Sequence, residues 1–163
     1  DIVCVGKIEH RKQQTKLANI CRNKLSIDFV GPITDAEFET NETCKYLGEW
    51  TREQLNDQLS NYKVLVLPSF GEAAALVVPE AIAAGLTVVV TEAASANLEG
   101  TPSYKVVPDD LAGIVNALRT ALTENSGVRK KQRAFAEQRF DWNVIIKEYV
   151  EEVIPFFKNE WSK

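Results

Sequence analysis

The feature that most constrains this chain is the alternation of short apolar runs with helix-spaced apolar stripes. Runs rich in Val, Ile and Leu occur at Ile2–Val5, Ser26–Val30, Cys44–Leu47, Val64–Pro68, Thr87–Thr91 and Tyr104–Val107. They are short and nearly continuous in apolar residues, the pattern of strands covered on both faces. Between them apolar residues recur at i, i+3 and i+4: Leu17, Ile20 and Cys21, then Leu55, Leu59 and Tyr62, then Leu111, Ile114, Val115, Leu118 and Leu122. Thr51 and Gln54 have the spacing of a capping box, and a helix from Pro79 to Ala84 is stopped by Gly85. Strands alternating with helices make βαβ units and a parallel sheet. The expected fold is one doubly wound α/β domain of about six strands, residues 1–163.

The C-terminal third reads as wholly helical. Val128 to Arg139 is charged and expected at the surface. Asp141 is expected to cap a last helix, about 142–158, carrying Ile145, Tyr149, Val150, Val153 and Ile154, which Pro155 ends or kinks. Trp142, Tyr149, Phe156 and Phe157 make this helix rich in aromatic residues. The sequence holds no Met and opens directly in a strand pattern. The expectation is an excised domain whose N-terminal partner domain is missing, with the last helix packing back toward it.

Composition narrows the function. Nineteen Lys and Arg against 23 Asp and Glu give a net charge of −4 and a pI near 5.2. That balance argues against nucleic acid as a partner, because phosphate backbones demand a basic face. A chain of this size buries roughly 70% of its unfolded surface, so it folds without disulfides or metal. Cys4, Cys21 and Cys44 are odd in number and set among apolar residues, as in a reduced, cytoplasmic protein. The full-length protein is expected in the cytoplasm, with a peripheral place at the inner face of a membrane left open. No uncharged run reaches transmembrane length; the longest apolar stretch, Ala73 to Val90, is broken by Pro79, Glu80 and Gly85. No CxxC, Cys/His cluster or Asp-x-Asp pair is present, so neither a metal nor a resident cofactor is expected.

In Rossmann-like sheets, ligands lie outside the carboxyl ends of the strands. The segment following Val64–Leu67 is therefore the first place to seek chemistry. Pro79 fits only the first turn of a helix, which places the helix start near Leu76 to Val78. The N–H groups of Ala75, Leu76, Val77 and Val78 then make an anion site suited to phosphate. Glu72 and Glu80 bracket it; on a continuous helix, eight residues span ~12 Å with an offset of about 80°. Two carboxylates flanking backbone donors match a ligand with hydroxyls at both ends and a diphosphate between, as in a nucleotide-sugar. Solvated charges are the competing reading. Against it, Glu80 stands in an otherwise apolar segment, where an unpartnered carboxylate is costly.

These residues resemble the E-x7-E motif of the retaining GT-B glycosyltransferases of family 4 ("group 1"), in their C-terminal, donor-binding domain. The likeness runs along most of the chain. Val5-Gly6-Lys7-Ile8 with Lys12 is similar to the family's Gly-Arg-x-x-x-x-Lys loop, and Tyr46-Leu47-Gly48 to its Phe-Leu-Gly strand end. Pro68-Ser69, the stretch Glu80 to Val89, and Phe140-Asp141-Trp142 followed by Tyr149 also match in order. The resemblance implies that Gly6 and the cations Lys7 and Lys12 meet the donor diphosphate, without a metal. It implies that Glu72 contacts donor-sugar hydroxyls near the reacting centre and that Glu80 accepts from the ribose hydroxyls. The backbone around Trp50 would meet the base, and the N–H groups of Ala75, Leu76 and Val77 the phosphate. The implied activity is transfer of a hexosyl-type sugar from a nucleotide-diphosphate donor to an acceptor held by the missing N-terminal domain, without which the isolated domain is expected to be inactive.

Departures from the pattern bear on the donor sugar. Ala73-Ala74-Ala75 replaces Gly-Phe-Gly, Gln13 replaces a Gly, and Ala93-Ala94-Ser95 stands where a Gly-Gly pair is usual. Arg11 is assignable neither to the site nor to the solvent, and His10 is expected at the surface. Trp50 is open between base stacking and packing; Glu92, Asn97 and Glu99 are open between sugar contacts and a capped loop. Other GT-B activities, a nucleotide-sugar epimerase or a phosphorylase, share such a donor domain, and a non-catalytic nucleotide-binding module would too. A flavodoxin-like receiver fits less well, because Lys7 stands where it needs acidic residues.

Overall fold

The computed structural model describes residues 1–72, 75–96 and 98–155. Six strands form one sheet: β1 (Ile2–Val5), β2 (Ile27–Val30), β3 (Cys44–Tyr46), β4 (Val64–Leu67), β5 (Thr87–Thr91) and β6 (Tyr104–Val107). Their order is β3-β2-β1-β4-β5-β6, and every neighbouring pair is parallel. The expected strands match these to within one residue. Ile2 pairs with Ile27 on one side and with Val64 on the other, so the strand order reverses at β1. The crevice at that switch point lies between the loops leaving β1 and β4.

Helices α1 (Gln14–Cys21), α2 (Arg52–Leu59), α3 (Val77–Ala83), α4 (Ile114–Arg139) and α5 (Trp142–Glu148) complete the element order. Successive strand residues point to opposite faces, and the core divides accordingly. Ile2, Cys4, Ile27, Phe29 and Val66 pack with Leu17 and Cys21 of α1 and with Ile114, Leu118 and Ala121 of α4. Val3, Leu65, Val88 and Val90 pack on the other face with Val78, Ala81 and Ile82 of α3. The capping box forms as expected, with Thr51 and Gln54 exchanging bonds at the start of α2.

The main correction concerns α4. It runs for 26 residues without a break, and the stretch from Val128 to Arg139, expected at the surface, is its second half and buries Gln132 and Ala136. The reason is geometric. Ile114 to Ala121 belong to one core and Ala136 to the other, so α4 must pass the amino-terminal rim of the strands between them. That rim presents unpaired backbone groups, and α4 meets it with polar side chains on one stripe, Asn125, Arg129 and Gln132. Asn125 donates to the Gly85 carbonyl at 2.9 Å, and Arg129 to the carbonyls of Tyr62 (2.8 Å), Ala84 (3.2 Å) and Ser60. Fully buried Gln132 donates to Leu86 (2.7 Å) and Ser103 (2.8 Å) and accepts from the Ser103 N–H at 3.2 Å.

Asp141 caps α5 by accepting from the Asn143 N–H. The helix does not continue evenly past Glu148. A π-helical turn, Tyr149–Val153, precedes Pro155, whose ring crowds the carbonyl four residues back and which brings no N–H. Phe156 and Phe157 lie outside the described residues.

Candidate active site

The site is built where the β1 and β2 loops touch. The Gly6 N–H donates to the Val30 carbonyl at 2.8 Å, and the Gly31 N–H to the Gly48 carbonyl at 3.0 Å. Gly31 has φ +132, and a Cβ there would stand 2.3 Å from the Gly6 carbonyl oxygen. The backbones approach that closely because Gly31 carries no side chain. Beyond Gly6 the chain reverses through a short 3₁₀ turn, His10–Lys12, which brings Lys12 back over the glycine. A Cβ on Gly6 would lie 3.1 Å from Lys12 Nζ.

Gln13 follows with φ 52 and ψ 22, a left-handed conformation that suits Gly better than Gln. Its side chain compensates. Nε2 donates to the carbonyls of Pro68 at 2.9 Å and Asp109 at 2.8 Å, tying the start of α1 to the loops after β4 and β6. The sequence departure at this position is thus accommodated by two bonds that glycine cannot make.

Lys12 reaches Glu72, Nζ to Oε1 being 3.4 Å, and Arg11 Nη1 lies 3.7 Å from the same oxygen. The Glu72 side chain is only 11% exposed, and Oε1 has no hydrogen-bond partner among the described residues. Arg11, left unassigned by sequence, also donates to the Gly71 carbonyl, while its own carbonyl accepts from the Phe70 N–H at 2.9 Å. These bonds clasp the β1 loop to the β4 loop. Glu9 bridges Arg11 at 2.8 Å and Lys7 at 3.5 Å. Burial alone would raise the Glu9 carboxyl, but Arg11 and Lys7 outweigh it and hold the group below the usual range. Three cations and two carboxylates leave the cradle one net positive charge.

α3 begins after Leu76, within the window set by Pro79, so Glu72 stands in the loop rather than on the helix. The expected row of free amides needs one correction. The Val78 N–H is taken by the Ala75 carbonyl at 2.9 Å, closing a turn before the helix. Leu76 is exposed, Ala75 and Val77 are half-buried, and Ala73 and Ala74 lie outside the described residues.

Glu80 is not unpartnered. Arg52, the first residue of α2, donates Nη1 to Glu80 Oε1. Nothing in the sequence links two residues 28 apart, and this pairing was invisible there. Trp50 is half-buried against Tyr62, ring centroids 6.3 Å apart. His10 is exposed, as expected, 6.5 Å from the Phe70 ring. A cavity of about 420 Å³ opens beside Glu72, running past Leu76 to Glu99, Arg139 and, on α5, Ile145 and Glu148. Glu99 therefore reaches the same space as Glu72, whereas Glu92 is exposed in a 3₁₀ turn and Asn97 lies outside the described residues.

A parallel sheet of this order, with a glycine-rich crossing and a cationic loop at its switch point, defines a Rossmann-like α/β domain. A family model described as "Glycosyl transferases group 1" matches residues 1–124. The chain belongs to that family of GT-B glycosyltransferases. No match was found among curated proteins. Among solved structures, it is similar to sucrose-phosphate synthase from Thermosynechococcus elongatus, at TM-score 0.78 and 21% identity over 97% of this chain and 46% of that one. It is also similar to HepE (Alr3699) of Anabaena in complex with UDP, at TM-score 0.73 and 20% identity over 94% and 48%. A third likeness is to α,α-trehalose 6-phosphate synthase from Burkholderia multivorans, at TM-score 0.71 and 17% identity over 98% and 43%. The chain thus spans just under half the length of these neighbours. Among the described residues, no helix is long and apolar enough to cross a membrane.

Proposed function

We propose that this chain is the nucleotide-sugar-binding half of a retaining glycosyltransferase and that it moves a hexosyl-type sugar to an acceptor held by a separate domain. The observation that carries the reading is the gathering of Lys12, Arg11 and Glu72 from two loops into one clasp beside Gly6, with Glu80 at the next helix. Gly6, Lys7 and Lys12 hold the diphosphate. As the glycosidic bond breaks, charge grows on the leaving diphosphate, and fixed cations stabilise it without reorganisation. Glu72 takes sugar hydroxyls at the mouth of the cavity, Glu80 takes the ribose hydroxyls, and the backbone near Trp50 meets the base. The amides of Leu76 and Val77 add to the phosphate contacts.

Two further observations support a two-domain parent. Structural neighbours of the chain are about twice its length. Trp142, Ile146, Tyr149 and Val150 form an apolar stripe on α5 and the π turn, with Trp142 73% exposed. We assign that stripe to contact with the N-terminal acceptor domain. The free, buried cysteines fit a reducing, cytoplasmic setting.

Calorimetric titration with UDP, GDP and ADP, free and sugar-linked, tests the reading. One nucleotide binds, E80Q and K12A both weaken it, and the isolated chain transfers no sugar. Binding indifferent to both substitutions refutes the site, and sugar transfer by the chain alone refutes the need for a second domain.

A further inference from the structure

We infer that Arg52 is a positioning residue for nucleotide recognition, holding the Glu80 carboxylate in the orientation that accepts ribose hydroxyls. The inference rests on the donor-site reading above and extends it to a residue outside its motifs. Arg52 Nη1 donates to Glu80 Oε1, so one guanidinium spans from the start of α2 to the first turn of α3.

Both anchor points are fixed in the backbone. The capping box of Thr51 and Gln54 sets the first turn of α2, with the Gln54 N–H to Thr51 Oγ1 at 3.1 Å and the Thr51 N–H to Gln54 Oε1 at 2.9 Å. Glu80 is held in α3 by its N–H bond to the Leu76 carbonyl at 3.3 Å. What remains free is the Glu80 side chain, which loses rotamer entropy when a ligand immobilises it. Arg52 imposes that loss before the ligand arrives, which favours binding.

The geometry leaves room for the ligand. A carboxylate offers about four acceptor positions, and Arg52 occupies one of them on Oε1. Among the described residues no other group bonds the Glu80 carboxylate, so Oε2 and the second position on Oε1 can accept from hydroxyl donors. Arg52 also neutralises Glu80, so this carboxylate does not oppose a diphosphate lying nearby. The pair is exposed on the Arg52 side (68%), which limits the effect to that of a partly solvated ion pair.

The experiment compares the chain with R52A, R52K, E80Q and R52A/E80Q, titrating UDP, GDP and ADP beside their 2′-deoxy forms. R52A weakens the preferred ribonucleotide about fivefold and its 2′-deoxy form, which keeps only the 3′-hydroxyl, by clearly less, so discrimination between them falls. R52K recovers part of the loss, and in the E80Q background R52A has no further effect. Equal loss for both sugars means a merely electrostatic or structural role and overturns the inference. Tighter ribonucleotide binding by R52A also overturns it, since Arg52 would then be blocking Glu80. If the unaltered chain binds none of the six nucleotides, the donor-site reading itself fails and takes this inference with it. Unchanged thermal midpoints for R52A show that the fold is not the cause.

Discussion

Replacing Gly31 with Ala tests whether the close crossing of the β1 and β2 loops shapes the proposed diphosphate site. The added Cβ would meet the Gly6 carbonyl oxygen at 2.3 Å, whereas ordinary contact begins at 3.4 Å. The backbone must therefore yield by about 1 Å, and the obstacle is main chain, which cannot swing aside. A φ of +132 adds a conformational cost of about 1–3 kcal/mol for any residue with a side chain. Moving Gly6 away also strains its bond to Val30 and that of Gly31 to Gly48, each worth about 1 kcal/mol. The expected destabilisation is roughly 3–5 kcal/mol. Gly113 supplies the control: φ is +74 but no described atom lies within 4 Å, so G113A costs only about 1–2 kcal/mol of backbone strain.

The two variants are then compared by urea denaturation and by nucleotide titration below the unfolding transition. G31A binds the nucleotide about tenfold more weakly, a loss near 1.4 kcal/mol, because Gly6 and the Lys12 that lies over it have moved. G113A binds as the unaltered chain does. If G31A and G113A lose equal stability, or if G31A keeps full affinity, the close approach does not shape the cradle.

Three other outcomes follow from the structure. Gln132→Met keeps the volume but leaves the Leu86 and Ser103 carbonyls and the Ser103 N–H without partners, so it destabilises by about 3 kcal/mol or more in chemical denaturation; a loss under about 1 kcal/mol would show that Gln132 only fills space. Glu72→Gln removes the negative partner of Lys12 and Arg11; free nucleoside diphosphate then binds as well or better, while affinity gained from the attached sugar falls, as calorimetry with both ligand forms will report. Burial pushes the Cys4 thiol up to about 12 and the Cys21 thiol up to about 11, from a usual 9.0. The unfolded thiols ionise first, so the stability they confer is whole below pH 9 and drains away as pH climbs toward 11–12. Unfolding midpoints across that range will fall less steeply for Cys4→Ala, and native thiols will resist a thiol reagent at neutral pH.

Much of this protein was written in local pattern. Strand runs of Val, Ile and Leu fixed the α/β alternation, because burial on both faces leaves no polar alternation to misread. Pro79 and the Thr51–Gln54 pair located two helix starts, since missing donors and side-chain caps act within a few residues. The E-x7-E spacing, the two lysines and the aromatic closing helix carried the family likeness. Sheet order, the crossing of Gly6 and Gly31, the Arg52–Glu80 pair and the Gln13 bridge belong to the tertiary structure alone. So does the path of α4, whose polar stripe reads as a wet surface until the strand ends it covers are known. Hydrophobic periodicity reports which face of an element is buried, but not which distant polar group meets it there. Those partners are chosen by how the chain closes, and closure decides which carboxylate a given cation will hold.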